Sequence, residues 1–243
     1  MKEVLELVEK RKQEFSQLSL FKYMQDKSIE PRQRLAWAPC VTPFAMGFGQ
    51  LNKYDFRKEP TDDPIQKIIN NHTYEDDHHW IWLLEDLEKL GFNHIMKFSD
   101  SMKFYWGEET YHTRQVCHKI ALYTFREEPI IVLAAIEAIE ATGNIALALT
   151  SEVTKELQQK YLYFGQHHFN VETGHATGTI DVAQVLERII MTDKQKVRAF
   201  EVVEKVFEVF TESVNEMMTY AKKHPVSESS NTSDTFNKAR LSV

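Results

Sequence analysis

The amino-acid sequence predicts an all-α fold, and three observations support this prediction. Only eight Gly and seven Pro occur among 243 residues, so residues that break helices are sparse. Apolar residues recur at spacings of three and four, and alternating β-branched segments are few. Hydrophobic residues form 42% of the chain, which is enough for one sizeable core without disulfide or zinc crosslinks. We therefore expect a single helical domain over residues 1–224.

Proline and glycine residues mark the predicted helix boundaries of the N-terminal half. Proline is suited to the first turn of a helix, and glycine to the position just after its end. These residues are Pro31, Pro64 and Gly91, whereas Pro39 and Pro43 are expected to kink or interrupt the apolar segment 35–49. The longest predicted helix in this half covers residues 65–90, and an amphipathic helix covers residues 1–25. Residues 92–107 are predicted to form a less regular, aromatic connection.

The C-terminal half is predicted to contain a buried helix and a long amphipathic one. Pro129 opens the first, whose apolar residues lie on every side, as a helix buried from all directions requires. Thr150 and Ser151 predict a loop and a cap before the next helix. Thr192 or Asp193 caps the long amphipathic helix near the end of the domain.

Composition excludes several classes of protein. The net charge of −7 argues against a nucleic-acid partner, which would require a basic surface. No apolar run approaches the roughly 18 to 20 residues of a membrane span, and the start lacks a signal core. We therefore expect a cytoplasmic protein without a membrane partner. Cys40 and Cys117 are expected to be buried free thiols, and the Ser-rich residues 225–243 a mobile tail.

The first candidate metal-binding motif contains His168, Glu172 and His175, at steps of four and three residues. On a helix that advances about 100° per residue, these three share one face in successive turns. Imidazole and carboxylate donors suit iron or manganese, and zinc is also compatible. The alternative interpretation is a polar helix face that carries histidines by chance, because a single short motif has many false positives.

A second candidate motif interrupts the apolar stripe of the helix predicted for residues 65–90. His79 falls close beside His72 on this stripe. Glu75 and Asp76 lie on its two flanks. Ionisable groups on a core-facing stripe are unfavourable unless they are paired or bind a metal. We select Glu75 and His79 as metal ligands and keep His72 as a further ligand or supporting partner.

His78 points well away from this stripe. It is therefore expected to be a solvated or intersubunit residue.

The helix that begins at Pro129 carries two carboxylates in apolar surroundings. A buried carboxylate without a cation is strongly unfavourable or takes up a proton, so a metal ion is the simplest explanation. We select Glu137 as a ligand, with Glu140 as its substitute or supporting partner. The three motifs together supply the donors Glu75, His79, Glu137, His168, Glu172 and His175. Six such donors are enough for two metal ions that share carboxylates.

The apolar segment of residues 35–49 has two interpretations. It forms either a core helix or the wall of a substrate pocket, and both are compatible in a helical bundle. The residues assigned to a pocket are Trp37, Phe44 and Met46. Such a pocket would take an apolar or amphipathic small molecule.

These motifs resemble the heme-oxygenase-like diiron oxidases and oxygenases, and within them the CADD-like branch of iron-containing redox enzymes. The resemblance rests on residues 75–91, on residues 136–143 and on the motif His168-x3-Glu172-x2-His175. The last motif is similar to the family's His, carboxylate, His triplet without a gap. Glu137 matches the lone Glu of the family's middle helix.

The first motif departs from the family pattern. CADD-like proteins have a Glu seven residues before the His, whereas this chain has His72 seven residues before His79. Relatives that form alkenes have Glu and His three residues apart, which would pair Glu75 with His78. A branch that forms p-aminobenzoate has a Tyr beside the middle-helix Glu. Here that neighbour is Ile136, so we do not expect that activity.

The resemblance implies a compact bundle of about seven helices in the heme oxygenase arrangement, assembled as a homodimer. It also implies two iron ions per chain, with manganese as an alternative, and an external electron donor. The implied reaction uses O₂ to oxidise a small organic substrate by N-oxygenation, C–C cleavage or desaturation. The alternatives are a non-catalytic interaction protein on the same fold and a thiaminase-like hydrolase with a Cys nucleophile.

Overall fold

The computed structural model describes residues 1–176 and 186–226, except for the side chains of residues 172–176. Every regular element in these ranges is helical, which confirms the all-α prediction. The α-helices, in chain order, are α1 (Lys2–Phe15), α2 (Ser19–Gln25), α3 (Pro31–Arg34), α4 (Thr42–Gln50), α5 (Pro64–Asp76), α6 (Trp80–Lys89), α7 (Phe98–Trp106), α8 (Tyr111–Thr124), α9 (Pro129–Lys155), α10 (Gln166–Ala176) and α11 (Asp193–Lys223). Short 3-10 helices span Ala38–Val41 and Glu108–Thr110, and a π-helical segment, Leu51–Phe56, continues α4. The helices pack as a compact bundle.

Helix α9 lies at the centre of this bundle and packs against α1, α2, α5, α10 and α11. As predicted, Pro129 stands in its first turn. The loop predicted at Thr150 and Ser151 does not occur, because α9 continues through both residues. The Thr150 hydroxyl donates to the carbonyl of Leu147 (3.2 Å), and the Ser151 hydroxyl donates to the side chain of Gln166 on α10 (3.1 Å). Both hydroxyls are therefore satisfied without ending the helix.

By length and composition, α9 could also cross a membrane, which the sequence analysis did not expect. Its most apolar 18-residue window has a mean hydropathy of 1.8. However, 67% of that window is buried inside the protein. A core helix passes this test as readily as a membrane span, and the helices packed around α9 account for its apolar composition.

Two helices that were predicted as continuous are each divided by a turn. Residues 1–25 form α1 and α2, and residues 65–90 form α5 and α6. The second break lies at Asp77–His79, in the middle of a candidate metal-binding motif. The rule of 100° per residue does not hold across such a turn, so the sequence could not place His79 relative to the residues of α5.

The break after α5 is stabilised by residues from an earlier part of the chain. The Arg57 guanidinium donates to the carbonyl of Thr73 and to the carboxylate of Asp77, at 2.7 Å each. These bonds satisfy polar groups at the C-terminal end of α5. On α4, Gly49 lies so close that a Cβ there would be 2.7 Å from the carbonyl oxygen of Asp77. Tertiary contacts thus end α5 where the local apolar pattern would continue it.

Other boundaries agree with the prediction or extend it. Gly91 follows α6 with a φ of 72°, which glycine adopts without strain. Thr192 caps α11 in a reciprocal capping box with Gln195.

Cys40 and Cys117 are buried and free, as predicted. Helix α7 occupies part of the connection that was predicted to be irregular. Most of the predicted C-terminal tail lies outside the described residues.

Candidate metal centre

A group of imidazoles and carboxylates lies where α5, α9 and α10 meet, at the side of the turn between α5 and α6. Helix α5 provides two of its members, the turn one, α9 one and α10 one. The members of this donor cluster are His72, Asp76, His79, Glu140 and His168. Each of the three motifs found in the sequence therefore contributes at least one side chain to the cluster.

His72, Asp76 and Glu140 form a group that could hold a metal ion, with one ligand atom of each lying within 4.8 Å of the others. His72 Nε2 is 3.0 Å from Asp76 Oδ2 and 3.5 Å from Glu140 Oε1. The Asp76 side chain is fully buried, and the other two side chains are each only 12% exposed. Burying a carboxylate is unfavourable unless cationic or hydrogen-bonding groups lie beside it. Here two largely buried carboxylates lie beside the same imidazole.

His79 and His168 face each other on the other side of Asp76. His79 Nδ1 is 3.0 Å from His168 Nε2 and 3.7 Å from Asp76 Oδ1. Both imidazoles are almost completely buried, with exposures of 6% and 5%. Trp82 of α6 stacks on the His79 ring, with centroids 4.3 Å apart and an interplanar angle of 20°. The indole therefore fixes the plane in which the His79 nitrogens lie.

The hydrogen bond of His168 Nδ1 defines the tautomer of this ring. His168 Nδ1 lies 2.9 Å from the backbone carbonyl oxygen of Tyr163. A carbonyl oxygen can only accept a hydrogen bond, so Nδ1 carries the proton. In the neutral ring, Nε2 then presents a lone pair toward the cluster, which is the arrangement that metal-ligating histidines require.

Glu137 lies one turn before Glu140 on α9 and close to the cluster. Burial raises the pKa of Glu137 to about 6, and the charge of nearby His72 acts in the opposite direction. Burial makes the charged form of Glu137 unfavourable in free energy, and a nearby cation reduces this penalty. Glu137, selected as the α9 ligand, thus lies near His72, whereas its substitute Glu140 is the α9 side chain inside the donor cluster.

The donor cluster fits a first-row transition metal by its chemistry and by its spacing. Mixed imidazole and carboxylate ligation suits iron, manganese or zinc. Two donors with bonds of about 2.1 Å to one metal ion lie about 3.0 to 3.4 Å apart at angles of 90° to 109°. The nitrogens of His79 and His168 and the nearest atoms of His72 and Asp76 are separated by 3.0 Å. The wider separations, 3.5 Å between His72 and Glu140 and 3.7 Å between His79 and Asp76, would have to shorten slightly around one ion, and His72, Asp76 and Glu140 are already close enough to share one.

The donor cluster differs from the set selected from the sequence on two helices. On α9 it contains Glu140, which was kept as the substitute, in place of Glu137, and on α5 it contains Asp76 in place of Glu75. The side chain of Glu75 is exposed, whereas its neighbour Asp76 lies inside the cluster. His78 is also exposed, as expected, with its Nδ1 3.4 Å from Asp77 Oδ1. The helical count placed Asp76 beside His72, so the sequence contained this signal. The side of α5 that packs into the bundle decided between the two carboxylates, because Asp76 follows His72 by one turn on that side.

The remaining two selected ligands, Glu172 and His175, lie on α10 after His168. Their backbone is helical, which agrees with the predicted register of the motif. Their side chains lie outside the described residues. Their role as ligands stays a prediction.

An apolar cavity of about 120 Å³ adjoins the donor cluster. Its polar end includes Asp76, His79, Glu140 and His168, and the rest of its described wall is almost entirely apolar. Aromatic residues from distant parts of the chain, such as Phe15 and Phe210, also line it. The cluster therefore faces a space from which the surrounding side chains exclude polar groups.

Two of the three residues assigned to a pocket line this cavity. Trp37 and Phe44 belong to its wall, together with Phe48. Among the described lining residues, Met46 is not included. Its sulfur instead accepts a hydrogen bond from the hydroxyl of Tyr105 at 3.0 Å. Both interpretations of the segment 35–49 therefore apply, because it contributes to the core and to the cavity.

In comparisons with known proteins, the chain matches no protein-family model and no curated sequence.

Proposed function

We propose that this protein is a non-heme diiron oxidase or oxygenase that uses O₂ to oxidise an apolar or amphipathic small molecule. The observation that carries the proposal is the position of the donor cluster at the polar end of an otherwise apolar cavity. Oxygen-activating sites need metal donors and a dry, shaped substrate space side by side. The resemblance of the three motifs to diiron enzymes supports iron as the metal.

The described residues that would hold metal are those of the donor cluster, with Glu137 as a further carboxylate. Glu172 and His175 would complete the ligands of a second ion. When bound, iron would supply the electrons that reduce O₂ and the oxidising power directed at the substrate. O₂ and an external electron donor are therefore the expected co-substrates.

The protein's own side chains provide positioning and exclusion of water. Trp82 holds the plane of His79, and the Tyr163 carbonyl holds the proton on His168 Nδ1. Trp37 and Phe44 present apolar surface to a substrate and leave little room for water near the cluster. An apolar substrate would therefore enter with its reactive carbon or nitrogen toward the cluster and its apolar part among the aromatic rings.

The alternative of a thiaminase-like hydrolase needs a reactive thiolate. Burial raises the pKa of both Cys40 and Cys117, which disfavours the thiolate form. Cys40 Sγ lies 3.2 Å from the backbone carbonyl of Glu109, an acceptor that cannot serve as a base for the thiol. These surroundings favour structural thiols. A non-catalytic interaction protein is the alternative that the next experiment separates.

The test is the iron content of the purified chain after anaerobic loading with Fe(II) and removal of free metal. We expect about two irons per chain, as in other bundles of this ligand type. The loaded protein should then consume O₂ faster with fatty acids than with polar amino acids. A chain that retains no iron under these conditions would favour the interaction protein. Stimulation by polar amino acids alone would contradict the apolar substrate.

A further inference from the structure

Asp86 of α6 is a completely buried carboxylate outside the donor cluster. Its two oxygens accept hydrogen bonds from the backbone N–H groups of Leu162 and Phe164, both at 3.0 Å. Lys89 Nζ lies 3.5 Å from the first of these oxygens. A carboxylate that accepts two backbone N–H bonds forms short, charge-assisted contacts and holds a chain segment firmly. Asp86 thus fixes the segment that leads into α10.

The backbone carbonyls of the same segment are also engaged. The Leu162 carbonyl accepts from the backbone N–H of His168 (3.3 Å), and the Tyr163 carbonyl lies 2.9 Å from His168 Nδ1. Tyr163 lies between the two residues whose amides bind Asp86. Its carbonyl is therefore held in place by Asp86 and in turn fixes the His168 ring. A shift of this segment would move the carbonyl away from Nδ1.

We propose that Asp86 is a positioning residue for His168. By holding the amides on both sides of Tyr163, it aims the Tyr163 carbonyl at His168 Nδ1, keeps the proton on that nitrogen and directs Nε2 toward the donor cluster. The proposal rests on the proposed function for its effect on metal affinity. Its effect on the tautomer of His168 is independent of any metal. Partners of this kind commonly alter metal affinity by about 10- to 100-fold when they are removed.

The test compares Asp86→Asn with a matched control. An Asn at position 86 has one acceptor oxygen, so one of the two N–H groups faces an amide nitrogen and loses its partner. The control is Glu216→Gln, because Glu216 of α11 accepts the backbone N–H groups of His112 and Thr113, both at 2.8 Å. Both changes remove a carboxylate that binds two backbone amides, but only Asp86 acts on the segment before His168.

Three measurements are made on each protein. Nitrogen-15 NMR of histidine-labelled, metal-free protein reports the tautomer of His168, assigned with a His168→Gln variant. Titration with Fe(II) reports metal affinity, and thermal unfolding reports stability. We expect both variants to lose stability, and only Asp86→Asn to give mixed His168 tautomers and an affinity at least about 10-fold lower.

Equal His168 spectra in Asp86→Asn and Glu216→Gln would overturn the proposal, because Asp86 would then anchor the segment only. The wild-type spectrum still tests the proposal if Asp86→Asn fails to fold. A proton on Nε2 of His168 in the wild type would also overturn it. One outcome separates the two proposals. If the wild type binds no iron, but His168 carries its proton on Nδ1 in the wild type and loses this preference in Asp86→Asn, the proposed function fails while this inference stands.

Discussion

At the scale of single residues, Asp76 connects the two halves of the donor cluster. One of its oxygens is 3.0 Å from His72 Nε2, and the other is 3.7 Å from His79 Nδ1. Its side chain is fully buried, whereas that of the adjacent Glu75 is exposed. A buried carboxylate among imidazoles is suited to bridge or bind a metal.

The pair Asp76→Asn and Glu75→Gln tests which of the two carboxylates binds the metal. Both changes replace a carboxylate by an amide of the same shape and remove one negative charge. We expect Asp76→Asn to lower iron affinity by at least about 10-fold, since it removes an anionic donor, and Glu75→Gln to leave it nearly unchanged. Iron content after anaerobic loading measures both. The reverse result would restore the ligand assignment made from the sequence.

At the scale of elements, α10 carries the motif that most specifically indicates metal binding. The helix runs from Gln166 to Ala176, and His168 near its start faces the donor cluster. Positions 172 and 175 follow in helical register, so the same face continues for two further turns. The segment that precedes α10 is tied to α6 by Asp86. This attachment holds the start of α10 near α6, and α10 also packs against α9.

His175→Ala tests the remaining length of that motif. Ala has the highest intrinsic helix propensity, so the variant should fold and keep its helical circular dichroism. We expect it to lose at least one of the bound irons and its O₂ reactivity, because one imidazole donor is removed. His118→Ala on α8 is the control, since that side chain is exposed. Equal iron binding by the two variants would remove the role we assign to α10.

At the scale of the whole molecule, the donor cluster joins helices that are far apart in the chain. His72, Glu140 and His168 come from α5, α9 and α10, and α9 is the central helix of the bundle. A ligand that binds only the folded chain stabilises it in proportion to the logarithm of its concentration over Kd. Metal binding at this point would therefore be linked to the stability of the entire fold.

The expected result is an increase in Tm when Fe(II) is added to the metal-free protein under anaerobic conditions. At a free concentration of 100 Kd the gain is about 2.7 kcal/mol. For a chain of this length that corresponds to a shift of roughly 5 to 10 °C. Thermal unfolding of wild type and Asp76→Asn with and without metal provides the measurement. An equal shift in both proteins would indicate that the metal binds elsewhere.

The sequence by itself determined the fold class and the segments that carry the chemistry. Apolar spacing reports which side of a segment is buried, so most of the helical segments and the burial of α9 followed from it. Polar groups on otherwise apolar faces marked the three motifs, and each of them contributes a side chain to the described cluster. A capping box and a first-turn proline act within a few residues, so the starts of α11 and α9 were also predictable.

Only the tertiary structure decided where continuous patterns break and which carboxylate faces inward. Arg57 and Gly49 contact Asp77 where α5 ends, and the packing of α5 buries Asp76 while its neighbour Glu75 stays exposed. Conversely, a partner on α10 lets Ser151 remain inside α9. These outcomes depend on residues that are distant in the chain, and periodicity contains no information about them. For the same reason, the sequence did not indicate the role of Asp86, whose partners lie more than 70 residues away.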